Sequence, residues 1–136
     1  MQKLVGVACL VSFGLLGCVS TQMPNAADHV RDPNCKVNES IKRNPIPKTP
    51  QNMSLPRFGQ GVIGWATGPE GAEMRLNNIQ KSDLKAIQDA GTTLEMVKEW
   101  QAFYEHESLR NPCNPTAPYR AKLMKKIAQL WVDKAI

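Results

Sequence analysis

Few side chains in this 136-residue chain are equipped for chemistry. They are four cysteines (Cys9, Cys18, Cys35, Cys113), two histidines (His29, His106) and a handful of acids. A thiolate is a nucleophile and a metal ligand, and a nearby imidazole can serve as its base. Cys113 with His106 or His29 would need a third group to orient the base, and the sequence singles none out. Glu105-His106-Glu107 places three ligand-competent side chains in a row, but consecutive residues on a helix do not share a face. No His-Glu-x-x-His spacing occurs, so no metal is expected. Glu73 and Glu105 are the acids available for a hydrolytic carboxylate pair, a mechanism that depends on their separation. Solvated helix acids are the ordinary reading of both. The stretch Phe58–Gly68 contains four glycines, whose amides could be exposed to a phosphate. Without a following Gly-Lys-Ser/Thr or a strand–helix unit with a distal acid, tight backbone packing is the better account, and no cofactor is expected. Asn111, Asn114 and Arg120 form the one polar group that core packing does not demand. With Trp65 beside them they are the candidate binding residues; no catalytic residue is assigned.

These residues must be read in their compartment. Lys3 opens a short basic segment, and Leu4 to Leu16 form an apolar run without Asp or Glu, the pattern of a secretory signal. At about 13 residues the run is shorter than the ~20 a spanning helix needs. Leu15-Leu16-Gly17-Cys18 resembles the lipobox of bacterial lipoproteins, with Leu16 where the family usually has Ala or Ser. The resemblance implies that residues 1–17 are removed and that Cys18 becomes a diacylated N-terminus, its acyl chains inserted among membrane lipids. Val19 rather than Asp after that cysteine implies the outer membrane, with the domain facing the periplasm. The alternative is an ordinary secreted protein with a cysteine after its signal. The mature chain keeps 119 residues, enough for one modest domain and a tail. Losing Lys3 lowers the formal charge from +5 to +4, ordinary for solubility and compatible with anionic envelope surfaces. No basic run with interleaved aromatics appears, so no nucleic acid partner is expected.

Export also decides how the remaining thiols read. Cys9 leaves with the signal and Cys18 carries lipid, so Cys35 and Cys113 form an even pair in an oxidising compartment. A disulfide is favoured over a catalytic thiol. Closing a loop of 78 residues would contribute ~4.5 kcal/mol in the chain-entropy model.

The elements that position these residues divide the chain in two. Residues 18–57 carry six of the ten prolines (Pro24, Pro33, Pro45, Pro47, Pro50, Pro56) and no sustained apolar period, so they read as an extended linker. As a flexible coil it would span ~35 Å from Cys18 to Phe58. Asp32-Pro33-Asn34-Cys35 reads as a turn presenting Cys35; if the disulfide forms, the middle of the tail is pinned and only residues 19–34 stay free. Residues 58–136 read as a small helical domain. Phe58 to Gly68 is a glycine-rich lead-in, either a short strand or an irregular plug of the core. A first helix starts at Pro69 behind Thr67 or Gly68 and runs to about Asn78. A second follows Ser82 and stops at Gly91. Thr92-Thr93-Leu94-Glu95 reads as a capping box, with Thr92 as cap, before a long helix striped by Leu94, Val97, Trp100, Phe103 and Tyr104. Asn111-Pro112-Cys113-Asn114-Pro115 is a double turn. Thr116 is then expected to cap a last helix striped by Tyr119, Leu123, Ile127, Leu130 and Trp131, with Arg120, Lys122, Lys125 and Lys126 as a positive side. The expected fold is all-α, a bundle of about four helices.

Two blocks carry a further resemblance. Phe58-Gly59, Val62-Ile63-Gly64-Trp65 and Thr67-Gly68 form the first; the second runs from Arg110-Asn111-Pro112 through Asn114-Pro115-Thr116-Ala117 and Arg120 to Leu123-Met124. Together they resemble an uncharacterised bacterial exported domain family with FGxNVIxWGTG and RNPxNPxAxxRxxLM motifs. Gln60, Ala66 and Cys113 depart from or fill variable positions of that pattern. Similar domains occur alone or attached to proteins of interbacterial toxin systems, and no activity carries over. The expected function is a lipid-anchored periplasmic binding protein, of an immunity type that neutralises a toxin. The competing expectations are an envelope enzyme (a wall hydrolase or toxin-like domain) and a structural lipoprotein that binds peptidoglycan.

Overall fold

The computed structural model describes residues 33–133, so the signal segment, Cys18, His29 and the tail through residue 32 lie outside the described residues. Four α-helices follow one another: α1 (Gly68–Asn78), α2 (Leu84–Asp89), α3 (Leu94–Arg110) and α4 (Ala117–Val132). No strand occurs among the described residues. The fold is all-helical, as the 3.6-residue spacing of the apolar residues requires.

α4 is the central element, packed against α3 on one side and α1 on the other, with α2 touching it as well. Its buried face is Ala117, Ala121, Leu123, Met124 and Ile127. Tyr119, Leu130 and Trp131, expected in the stripe, are partly buried residues packed around that face. α3 buries Val97, Trp100, Phe103 and Tyr104, and with them Glu107.

Of the two expectations for the lead-in, the strand is not formed and the plug of the core is, although as a regular turn rather than an irregular segment. Arg57–Ile63 forms a wide π-type turn in which the Gly59 carbonyl accepts from both Gly64 N (2.8 Å) and Trp65 N (3.0 Å). This turn drops Phe58, Ile63 and Trp65 into the core, each at most 2% exposed. Trp65 meets Phe58, Trp100 and Tyr104 edge-on, at centroid distances of 6.2, 6.4 and 5.5 Å. Edge-to-face packing of this kind suits the aromatic quadrupoles. A Cβ on Gly59 would overlap the Trp65 indole, so this glycine is set by close approach.

Helix ends differ in detail from the sequence expectation. Gly91, at φ +93°, closes α2 in a Schellman arrangement, with Gly91 N on Gln88 O (2.8 Å) and Thr92 N on Ile87 O (3.3 Å). That pairing shifts the next cap by one residue. Thr93, not Thr92, accepts from Met96 N at 3.1 Å, and the Thr92 hydroxyl is buried without a partner. Ahead of α2 the residue before the helix is Asp83 rather than Ser82, and its side chain makes no cap bond to α2; its carboxylate turns back to accept from Gln80 N (2.8 Å), at the start of the 3-10 turn Lys81–Asp83. At α4, Thr116 makes no side-chain cap bond; Asn114 Oδ1 accepts from Thr116 N (3.0 Å) and Ala117 N (3.3 Å) instead.

Residues 38–56 are pinned to the domain, the arrangement expected if the disulfide forms. They contain no regular helix until Pro50, yet they lie along α3 as a strap. Asn38 N donates to Arg110 O at 2.8 Å, and Trp100 Nε1 donates to Lys48 O at 3.0 Å. Pro50 is buried, and Met53 and Leu55 pack on the core. Cys35 and Cys113 are joined, with their Cα atoms 5.4 Å apart, which fastens the strap to the turn between α3 and α4. Composition misleads here because prolines lower the need for backbone partners. A chain with few N–H groups to satisfy can dock in extended form through a few side chains.

Candidate functional site

The double turn and the strap meet above the aromatic core. Asn111 Oδ1 accepts from Cys113 N (3.1 Å) and Asn114 N donates to Asn111 O (3.0 Å), so both asparagines build the turn that presents α4. Three residues into α4, Arg120 turns inward. Its guanidinium carbon lies 4.6 Å from the Trp65 ring centroid and 5.5 Å from that of Tyr104. Nη1 donates to the Tyr104 hydroxyl at 3.1 Å, and Nε is buried with no acceptor. The structure therefore brings together Trp65, Asn114 and Arg120 among the residues singled out by sequence. Asn111 serves the turn.

A cleft of about 130 Å³ opens beneath the strap at this point, with Arg43, Ile46, Tyr104, Glu107, Asn114 and Arg120 in its wall. Glu107 accepts a two-point contact from Arg110, Nε at 2.8 Å and Nη2 at 2.9 Å. Arg43 reaches the same carboxylate at 3.5 Å and lies over Phe103 at 5.8 Å. The hydrogen bonds from Arg110 hold the Glu107 carboxyl below its ordinary range, against the burial that would raise it. Burial pushes the Tyr104 phenol up, while Arg120 beside it works the other way. A second, open groove of about 430 Å³ runs between Pro45–Lys48 of the strap and Glu99, Ala102 and Phe103 of α3. It shares Ile46 and Phe103 with the cleft, so the two lie side by side.

Arg43, Tyr104 and Glu107 were not among the binding residues expected from sequence, although Tyr104 was placed on the buried stripe of α3. Glu107 carried a signal, since it sits on the buried stripe three residues after Tyr104. Arg43 carried none, lying in a stretch read as spacer. The expected positive side of α4 does not form. Arg120 faces the aromatics, and Lys126 Nζ donates to Leu76 O (2.8 Å) at the end of α1. Lys122 and Lys125 stay exposed, Lys122 5.5 Å from the Tyr119 ring. Glu105 is exposed and accepts from Gln101 on its own helix (2.8 Å). Neither Glu73 nor Glu105 lines the cleft or the groove. Among the described residues no group of three or more His, Cys, Asp or Glu is placed to hold a metal ion.

Residues 33–131 match the family model of a domain of unknown function, DUF4951. The chain belongs to this family. The DUF4951 match begins well ahead of Phe58 and takes in the whole strap, which agrees with the strap's packing on α3. A solved structure, described as the NMR structure of the protein from Acinetobacter baumannii, is 58% identical to this chain. It covers 71% of this chain and 90% of its own length, at a TM-score of 0.62. No curated protein matches the chain.

Proposed function

We propose that this DUF4951 protein is a non-enzymatic binding protein of the bacterial envelope. Cys18 anchors it by lipid to the outer membrane, and the domain faces the periplasm. Its partner is a periplasmic protein, and neutralisation of an interbacterial toxin is the role we put first. The observation that carries this reading is the bonding of Cys35 to Cys113. It removes the best nucleophile from chemistry and spends it on a strap that frames an open groove. An oxidised pair also suits an exported address. Leu15-Leu16-Gly17-Cys18 and the motif blocks around Trp65 and Arg120 support the envelope assignment by resemblance.

Two measurements test it. Cys18→Ser is expected to abolish labelling by a fatty-acid analogue and to release the protein from the membrane fraction; unchanged attachment rejects the anchor. The mature Cys18→Ser chain, immobilised and exposed to periplasmic extract, is expected to retain a protein partner. Recovery of peptidoglycan and nothing else would overturn the binding role and favour a wall-binding lipoprotein.

A further inference from the structure

We infer that the open groove between the strap and α3 is a self-association surface, and that its occupant is a second copy of this chain. The inference goes beyond the binding reading and does not depend on it. It begins with exposed apolar surface. Among the described residues five large apolar side chains are exposed, and three of them lie on the strap side of the molecule or on the end of α3 that the strap follows: Val37 (42%), Ile46 (61%) and Leu109 (70%). Asn38 N bonds to Arg110 O, so Val37 and Leu109 belong to neighbouring stretches of chain. Ile46 stands between the cleft and the groove and lines both. Scattered exposed apolar residues are ordinary, whereas a concentration of them along one seam marks a contact surface.

The residues around Ile46 let this ridge lose water at little cost. Pro45 and Pro47 have no N–H, so burying the stretch between Asn44 and Lys48 desolvates one backbone donor, that of Ile46. Across the groove the facing wall is Ala102, exposed, together with the edge of Phe103. Ala102 is small and leaves room for an entering side chain. The groove is about 430 Å³ and open, a shape that receives a ridge rather than encloses a small molecule.

Charge decides the occupant. The groove wall carries one cation, Lys48 on the strap, and one acid, Glu99 on α3. Both are exposed, and among the described residues neither takes part in an ion pair. A uniformly acidic or uniformly basic partner satisfies one of them and is repelled by the other. A fitting partner brings an acid to Lys48, a base to Glu99 and an apolar ridge between them. This chain carries that arrangement itself. A two-fold pair sets the same patch against itself. Ile46 of each copy then enters the groove of the other, against Ala102 and Phe103, and Lys48 of each copy meets Glu99 of the other.

The test is sedimentation equilibrium of the oxidised mature chain with Cys18→Ser, at low ionic strength, where ion pairs are least screened. Over about two decades of micromolar concentration the mass is expected to rise from one chain to two and to stop there, because a two-fold contact is closed. Ile46→Asp is expected to hold it at one. Met74→Asp, at an exposed apolar position on α1, leaves the dimer unchanged. Lys48→Glu and Glu99→Lys each set like charges opposite one another at both contacts, and each is expected to weaken self-association about 10-fold or more. Mixed in equal amounts, these two variants are expected to pair with each other at least as tightly as the wild type, since each meets the charge it lacks. A variant damaged in its fold does not recover on mixing. A wild-type chain that stays single throughout, growth beyond two, or no recovery in the mixture overturns the inference. A single chain leaves the pull-down of a periplasmic protein free to succeed, so the two readings fail separately.

Discussion

Glu107 is the acid on which the charge balance of the cleft turns. It is 4% exposed, on the face of α3 that otherwise buries aromatic side chains. Its carboxylate ties Arg110 at the end of the helix to Arg43 of the strap. Because Arg110 lowers its pKa from the ordinary 4.5, the ionised form stabilises the fold. That contribution is present in full above the unfolded value of about 4.5 and is lost as pH falls through the lower folded value. Glu107→Gln is therefore expected to melt at a lower temperature than the wild type at neutral pH. Below pH ~4.5 its melting temperature should fall less steeply, since one acid-sensitive contact has already gone. Thermal unfolding measured across the acid range checks this, and parallel acid limbs would place the stabilisation elsewhere.

At the scale of elements, the apolar periodicities located the helices, while hydrogen-bond competition at their ends decided the registers. Thr92 and Thr93 show the limit. Only Thr92 has the capping-box spacing to Glu95, yet Thr93 is the residue that caps α3. The Schellman closure at Gly91 commits the Thr92 amide to α2 and leaves Thr93 in extended geometry at the cap position. Thr93→Ala is expected to cost about 1 kcal/mol, the usual value of a lost cap. Thr92→Val, which replaces a buried hydroxyl lacking a partner by a methyl, should be neutral or stabilising. Chemical denaturation of the pair distinguishes the registers, and a larger loss from Thr92→Val would restore the sequence assignment. The lead-in was legible in composition but not in form. Its glycines signalled close packing; that Gly59 must admit the Trp65 indole depends on a contact six residues along the chain, which no propensity reports. Gly59→Ala is accordingly expected to destabilise by more than about 1 kcal/mol, the ordinary cost or gain of a glycine exchange, because the added methyl collides with a packed ring. Equilibrium unfolding of that variant measures it.

For the whole molecule, the strap and its disulfide are the features that make one body of two compositions. The proline-rich stretch was legible as extended and the cysteines as a pair, but not the docking between them. It depends on a long-range bond from Trp100 Nε1 to Lys48 O and on Pro50, buried beside Gly91. A small helical core is marginal alone, so a covalent closure spanning 78 residues matters more here than in a larger domain. Cys35→Ser and Cys113→Ser are each expected to lower stability by about 2–5 kcal/mol through the same lost loop closure. The double variant should be no less stable than either single one, because the two side chains contribute one bond and therefore couple fully. The oxidised mature Cys18→Ser chain should show no reactive thiol in denaturant without reductant. Loss of the bond should act locally as well. Asn38 N–H, three residues from the link, should lose hydrogen-exchange protection first, whereas the Trp100 indole N–H, held at the far end of the strap, should remain protected until global unfolding. Two titratable thiols in the oxidised chain would refute the pairing. Simultaneous loss of both protections would show that the strap has no attachment of its own beyond the disulfide.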